Sequence, residues 1–429
     1  MKKKIFIVIV LLITAFLGWR LIRPLNIFIV TPNFERPLDT SNAPAMFSTL
    51  RAEECANCHQ AFYDEWRTTI HSQAWTDPYF QVDWKFDGSQ QICKNCHIPL
   101  DRQQEHKVLG FSDKEKWQPI LAPNPDFDAV LQHEGVTCTA CHLREGKIVG
   151  VLGITDAPHP VHRLDNPNRI CVRCHVVEGN RWDTLLRFPP CGTVAEITSS
   201  AAEIPTPEET RRLMSFLNED QRTQYTRAAE ARLSPASPGK PLAPGEAGIA
   251  KLGCVDCHMP LVRRPLVPGG EERPVRQHLW RGGHDPAMVK KALKVVLQEA
   301  KAEDSDSRRF TLTLINIGAA HYLPTGTPDR HLTAQLRLLD ASGRIIKQQK
   351  HTLKRTVMWR PFIVDLWDTR LPRWQPRSYT LEFARGEGVT LEAEVRYHLL
   401  DEARRQRIGY ENKTPIDYPV YRQRLELEK

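Results

Sequence analysis

Cys55-Ala56-Asn57-Cys58-His59 decides the reading of this chain, because the same pattern returns four more times. The further copies are Cys93-Lys94-Asn95-Cys96-His97, Cys138-Thr139-Ala140-Cys141-His142, Cys171-Val172-Arg173-Cys174-His175 and Cys254-Val255-Asp256-Cys257-His258. Together they use ten of the eleven cysteines. Cys-x-x-Cys-His is the attachment signature of a c-type heme. Two thiols three positions apart can form thioethers with both vinyl groups of one porphyrin. The adjoining histidine is then fixed beneath the iron as its proximal ligand. A single Cys-x-x-Cys could instead be half a zinc site, a redox dithiol or a disulfide. None of these demands a histidine after each second cysteine, so the five copies predict five covalently attached hemes c. The remaining cysteine, Cys191, reads as a buried small hydrophobe.

The rest of the chain fits that cofactor. The 429 residues are enough for two or three domains. Hydrophobic residues make up 41%, which excludes wholesale disorder, and 32 prolines predict many loops. The formal charge of +8 could suggest an anionic partner. Heme propionates, ionised like other carboxylates, would offset much of it, and no basic run interleaved with aromatics occurs, so no nucleic-acid partner is expected.

Lys2, Lys3 and Lys4 precede an apolar run over residues 5–18, the pattern of an export segment. No small-x-small cleavage site follows closely, so the expectation is a signal anchor or transmembrane segment over residues 1–25. The rest of the chain would then lie in the periplasm. A cleaved signal peptide and a soluble product form the alternative. A linker over residues 26–50 then leads to a pentaheme cytochrome c domain over residues 51–300, mainly α-helical and irregular, with the porphyrins serving as its core.

Within that domain, residues 234–245 read as an irregular linker. Thr206-Pro207-Glu208-Glu209 starts a helix through a capping box, with Leu213, Phe216 and Leu217 at helical spacing. After about residue 305 the texture changes to alternation. Phe310, Leu312 and Leu314 form one strand pattern, and Leu332, Ala334, Leu336 and Leu338 another, turning at Asp340-Ala341-Ser342-Gly343. Tyr379, Leu381 and Phe383, then Val389, Leu391, Ala393, Val395 and Tyr397, complete a small all-β, sandwich-like C-terminal domain over residues 301–429.

Six-coordinate irons need a second axial ligand each, and eleven histidines lie outside the motifs. His71, just past the first motif, is the foremost candidate. His133, His162, His278, His284 and His321 are the others, and His159 shares the Pro-bracketed loop of His162. His106, His331, His351 and His398 read as ordinary surface or hydrogen-bonded residues.

Several runs resemble a known superfamily. Cys55-x-x-Cys58-His59 with Tyr63, Trp66 and His71 is similar to the opening motif of the tetraheme acceptor cytochrome of the hydroxylamine oxidoreductase system. Related pentaheme and octaheme cytochromes share it. Glu134-Gly135-Val136-Thr137-Cys138 resembles a second motif of that superfamily, and Gly253-Cys254 to Met259-Pro260 occurs widely in it. The His278 to His284 segment and the run from Asn316 to Gly326 resemble a C-terminal extension that starts a β-domain in some multiheme cytochromes, with Ala320 where glycine is usual; near the opening motif, Thr69 stands where serine is usual. The resemblance implies closely stacked hemes, many of them bis-histidine, that form an electron path between redox partner proteins. Reductases of the superfamily commonly carry a Cys-x-x-Cys-Lys heme, and this chain has none. The expectation is therefore periplasmic electron transfer with no catalytic residue assigned. The alternatives are a reductase or oxidase of a small nitrogen or sulfur species at an open heme, and an electron donor linked to a membrane quinol or inner-membrane complex.

Overall fold

The structure is a computed structural model that describes residues 2–22, 35–113, 118–153, 157–175, 192–194, 196–197, 205–233, 253–358 and 364–427. Cys191, residues 26–34 of the N-terminal linker and the Pro-rich stretch over residues 234–245 lie outside the described residues.

Lys2–Ile22 is one helix whose apolar side chains, Phe6, Leu11 and Leu12 among them, are exposed. The expected membrane-spanning anchor is corrected at this point. Among the described residues no helix is long and apolar enough to cross a membrane. The lysines occupy its first turn, and the 14 residues of the apolar run rise only about 21 Å, against a hydrocarbon core of roughly 30 Å.

Helices and small sheets make up the described part of residues 35–276. The helices include Ala52–Trp66, Pro78–Phe86, Gln91–His97, Ala129–His133, Cys138–His142, Asn168–His175 and Cys254–His258. Between them, β1 (His106–Phe111) pairs antiparallel with β2 (Pro119–Pro123). Strand β4 (Lys147–Gly150) lies between β3 (Leu143–Arg144) and β5 (Val161–Arg163). Strands β6 (Leu261–Arg264) and β7 (Arg273–Arg276) form a second hairpin. The apolar core of this region is thin: Leu50, Leu100, Leu131, Ala140 and Leu143 are the buried members of its cluster. A region this large with so few packed side chains needs another apolar filling, which is what porphyrins supply.

The C-terminal region carries its own core. It contains β8 (Leu293–Ala300), β9 (Ser307–Asn316), β10 (His331–Leu339), β11 (Ile345–Met358), β12 (Val364–Asp368), β13 (Arg377–Ala384), β14 (Thr390–His398) and β15 (Asp417–Glu426). One sheet has the order β12-β11-β10-β14-β15 and the other β13-β9-β8, and every pairing is antiparallel. Alternate residues of both sheets meet in one cluster: Leu332, Ala334, Leu336 and Leu338 from β10, Leu391 and Val395 from β14, Phe310 and Leu312 from β9, Leu381 and Phe383 from β13. Two antiparallel sheets thus share one core, and each fully buried leucine contributes about 1.5–3 kcal/mol through removal from water. The turn after β10 closes where Asp340 Oδ1 accepts from the Ser342 and Arg344 amides, with Gly343 at φ +80°. The first strand begins at Leu293, ahead of the change in texture near residue 305, because its pattern is only half-buried.

The capping box forms as its sequence predicts. The Glu209 amide donates to Thr206 Oγ1 and the Thr206 amide to the Glu209 carboxylate, opening the helix Pro207–Phe216. Its apolar face, through Leu213 and Leu217, packs with Tyr225 of the next helix (Glu219–Leu233) and with Ile315 and Trp374 of the β-region.

Candidate heme-binding site

All five motifs sit on helices, and in four of them the helix ends at the histidine. In the first, His59 interrupts the helix Ala52–Trp66 with φ −109° and ψ 41°. Local chemistry sets these helices in place. The Glu134 carboxylate accepts from the Ala52 amide, at the start of the first motif helix, and from the Thr137 hydroxyl, just before the third. Gly135 stands between them at φ +60°, and a Cβ there would lie 2.7 Å from the His71 carbonyl oxygen. The Val136 amide donates to that same carbonyl, and Trp66 Nε1 donates to the Val136 carbonyl. The Glu134-Gly135-Val136-Thr137 run therefore binds two motif helices and the His71 turn together.

The motif histidines are oriented through the backbone. His59 Nδ1 lies 3.0 Å from the Leu266 carbonyl, His97 Nδ1 2.6 Å from that of Ala74, His142 Nδ1 2.8 Å from that of Val149 and His258 Nδ1 2.8 Å from that of Arg281. A carbonyl can only accept, so Nδ1 carries the proton and Nε2 keeps its lone pair for a metal. Among the histidines outside the motifs, His278 is held likewise by the Arg276 carbonyl and His321 by that of Tyr322. Burial disfavours the protonated form of several candidate ligand rings. It lowers His71 to about 3, helped by His175 and His258, and lowers His97, His175 and His278 to about 4.

Four motif histidines each face one other histidine. Ring centres are 6.3 Å apart for His59 and His159, 6.4 Å for His71 and His175, 6.0 Å for His142 and His278, and 6.4 Å for His258 and His321. A metal about 2.0–2.1 Å from each of two imidazole nitrogens separates the ring centres by roughly 6 Å. The residues thus fit an iron held between each pair. His159 adds a second mark, since its Nδ1 is buried without a hydrogen-bond partner. His97 is stacked on Phe80 instead, with ring centres 3.5 Å apart.

Of the histidines singled out by sequence, His71, His278 and His321 are therefore brought opposite motif histidines. His133 is exposed, with its Nδ1 on the Ala129 carbonyl. His162 lies exposed on β5. His284 Nε2 is 3.3 Å from the Arg330 guanidinium. His159, which the sequence offered beside His162, takes the place facing His59. Spacing could not choose between them, because His159 stands in the bend before β5 and His162 on β5 itself, and only the folded chain shows which ring meets His59.

The thiols group the motifs in space. Cys55 is within hydrogen-bonding reach of Cys138, Cys96 of Cys174, and Cys171 of Cys254. The first and third motifs are thereby neighbours, as are the second and fourth, and the fourth and fifth.

Residues 54–119 match the family described as cytochrome c554 and c-prime. That stretch holds the first two Cys-x-x-Cys-His motifs, and over it the chain is similar to multiheme c-type cytochromes. Cytochrome c-552 of Haemophilus influenzae is 27% identical over 137 residues, covering 29% of this chain and 21% of that protein. The chain thus spans about a fifth of the length of that relative. The penta-heme cytochrome c552 from Thermochromatium tepidum has a similar fold, with a TM-score of 0.57 at 17% identity, over 88% of this chain and 99% of that one. The family match over residues 54–119 implies c-type hemes and electron transfer, and suggests a place outside the cytoplasm.

Proposed function

We propose that this cytochrome carries electrons through five covalently bound hemes c in the periplasm, between redox partner proteins. Each heme would supply a one-electron couple at its iron. The chain's residues attach it by the two motif cysteines, ligate it by the motif histidine and set its potential through the second ligand, burial and nearby charge. The observation that carries this reading is the set of four facing histidine pairs, each with one motif member. On this reading His159, His71, His278 and His321 are the distal ligands of the first, fourth, third and fifth motif hemes. Thiol neighbourhoods support a path from first to third motif and from fifth through fourth to second. Heme content per chain tests the count, and electron paramagnetic resonance of the ferric protein tests the ligation. Five hemes with four low-spin bis-imidazole signals are expected; fewer hemes or a different ligand field would overturn it.

A second reading has its own support. The ring of Phe80, not of a histidine, lies against His97. An open position on the heme of the second motif would admit a small nitrogen or sulfur species, and the protein would then be a reductase or oxidase. Addition of nitric oxide or hydroxylamine to the reduced protein separates the two. Turnover supports the enzyme, and binding without turnover leaves the carrier.

A further inference from the structure

Glu65 lies on the helix of the first motif, well past His59, with its side chain 12% exposed. Four donors converge on its carboxylate. Arg264 approaches as a fork, its two terminal nitrogens 2.6 and 2.7 Å from Oε1 and Oε2. Gln277 Nε2 donates to Oε1 at 3.2 Å, and the backbone amide of His278 donates to Oε2 at 2.8 Å. A bidentate arginine fixes a carboxylate in direction as well as distance. The two oxygens are thus aimed at the backbone from which the His278 ring projects.

The ring itself is held from two further sides. Phe62, one turn before Glu65, meets it edge to face with centres 5.0 Å apart, and the Arg264 guanidinium covers Phe62 at 4.3 Å. The Arg276 carbonyl takes its Nδ1–H. Only Nε2 is left free, and the ring stands 6.0 Å from His142 with planes 22° apart.

We infer that Glu65 is a positioning residue for His278: the helix that attaches the first heme also sets the distal ligand of the third. This rests on reading His142 and His278 as one ligand pair. Removing the carboxylate frees the His278 amide, leaves Arg264 without its counter-charge and lets the β6–β7 hairpin drift from the first motif helix. The ring can then no longer be held at ligand distance.

The test uses the fully hemylated protein and the variants E65A, E65D and H278A, read by heme content and by ferric electron paramagnetic resonance. E65A is expected to keep its full heme content while one low-spin signal gives way to a high-spin signal, and added imidazole should restore it. E65D keeps the charge but withdraws it by one methylene, and should show the same loss in part. It provides the readout if E65A does not mature. The H278A control separates the two ideas. If H278A leaves every low-spin signal intact, the ligand pair is wrong. If H278A converts one heme and both Glu65 variants keep all their low-spin signals, Glu65 only stabilises the fold and the inference fails.

Discussion

His97 and Phe80 lie face to face, with ring centres 3.5 Å apart and planes 8° apart, while every other motif histidine looks across at a second imidazole. Trp75 and Trp84 pack around Phe80, so the second motif sits in an aromatic box. The heme on His97 is expected to be high-spin in the ferric state and to take up cyanide or nitric oxide, the others remaining unchanged. Ligand titration followed by optical and paramagnetic spectra should give one site per chain; zero sites would remove the support for an enzyme.

The choice between His159 and His162 can be made directly. H159A should convert the heme of the first motif from low-spin to high-spin, because His159 is the ring that faces His59. H162A, an exposed change on β5, should leave the spectrum alone and stability within about 0.5 kcal/mol. A reversed result would move the ligand to His162.

Trp280 stands edge-on to His71 at 5.0 Å and to His278 at 5.2 Å, and its amide donates to the His258 carbonyl. It adopts φ +40°, a left-handed conformation that a bulky residue tolerates only when its surroundings hold it there. One side chain thereby shields two distal-ligand candidates and ties them to the fifth motif. W280A would let water reach both rings and favour the ferric, charged state. The potentials of the third and fourth motif hemes should fall together in a spectroelectrochemical titration, with the first unaffected.

Arg370 is buried, with Glu196 at 2.6 Å and Asp368 at 2.6 Å, and its guanidinium lies 5.3 Å from the ring centre of Tyr322, next to His321. R370M leaves the Glu196 carboxylate buried without its counter-charge, a loss of about 3–5 kcal/mol. Urea unfolding should report it, together with a weakened fifth-motif low-spin signal. A midpoint equal to that of the parent protein would show the pair to be dispensable.

His331 and His398 stack at 4.2 Å across β10 and β14, outside the ligand pairs. Burial first, and for His398 the neighbouring His331 ring second, lowers both; His398 falls to about 4. The unfolded histidines take up protons near the usual value of about 6.5, while the folded ones resist. Their contribution is therefore full above that pH and lost as it drops toward 4. Protection of β10 and β14 against hydrogen exchange, taken relative to the intrinsic rates, should fall between pH 7 and pH 5, and H398Q should flatten the difference.

Sequence alone determined the cofactor chemistry of this protein and the outline of its halves. A thioether needs a cysteine and a proximal ligand needs the next histidine, so covalent chemistry is written at fixed spacing, as in Cys138 to His142. The alternation in β10 and the cap at Thr206 were legible for the same reason: both are local, period-2 or three-residue patterns. The apolar run after Lys4 reads as a span in the sequence, while among the described residues no helix is long and apolar enough to cross a membrane. Tertiary structure alone decided the facing pairs. His59 meets His159 from 100 residues away, and His258 meets His321 from the far side of the β-domain boundary. Glu65 shows the limit most plainly. In sequence it is one more glutamate on a helix, and its role exists only because Arg264, Gln277 and the His278 amide arrive from about 200 residues downstream. Spacing along the chain fixes what is bonded to a heme locally. Which second ring faces its iron is a question of packing, and packing is set by contacts that the chain makes only once folded.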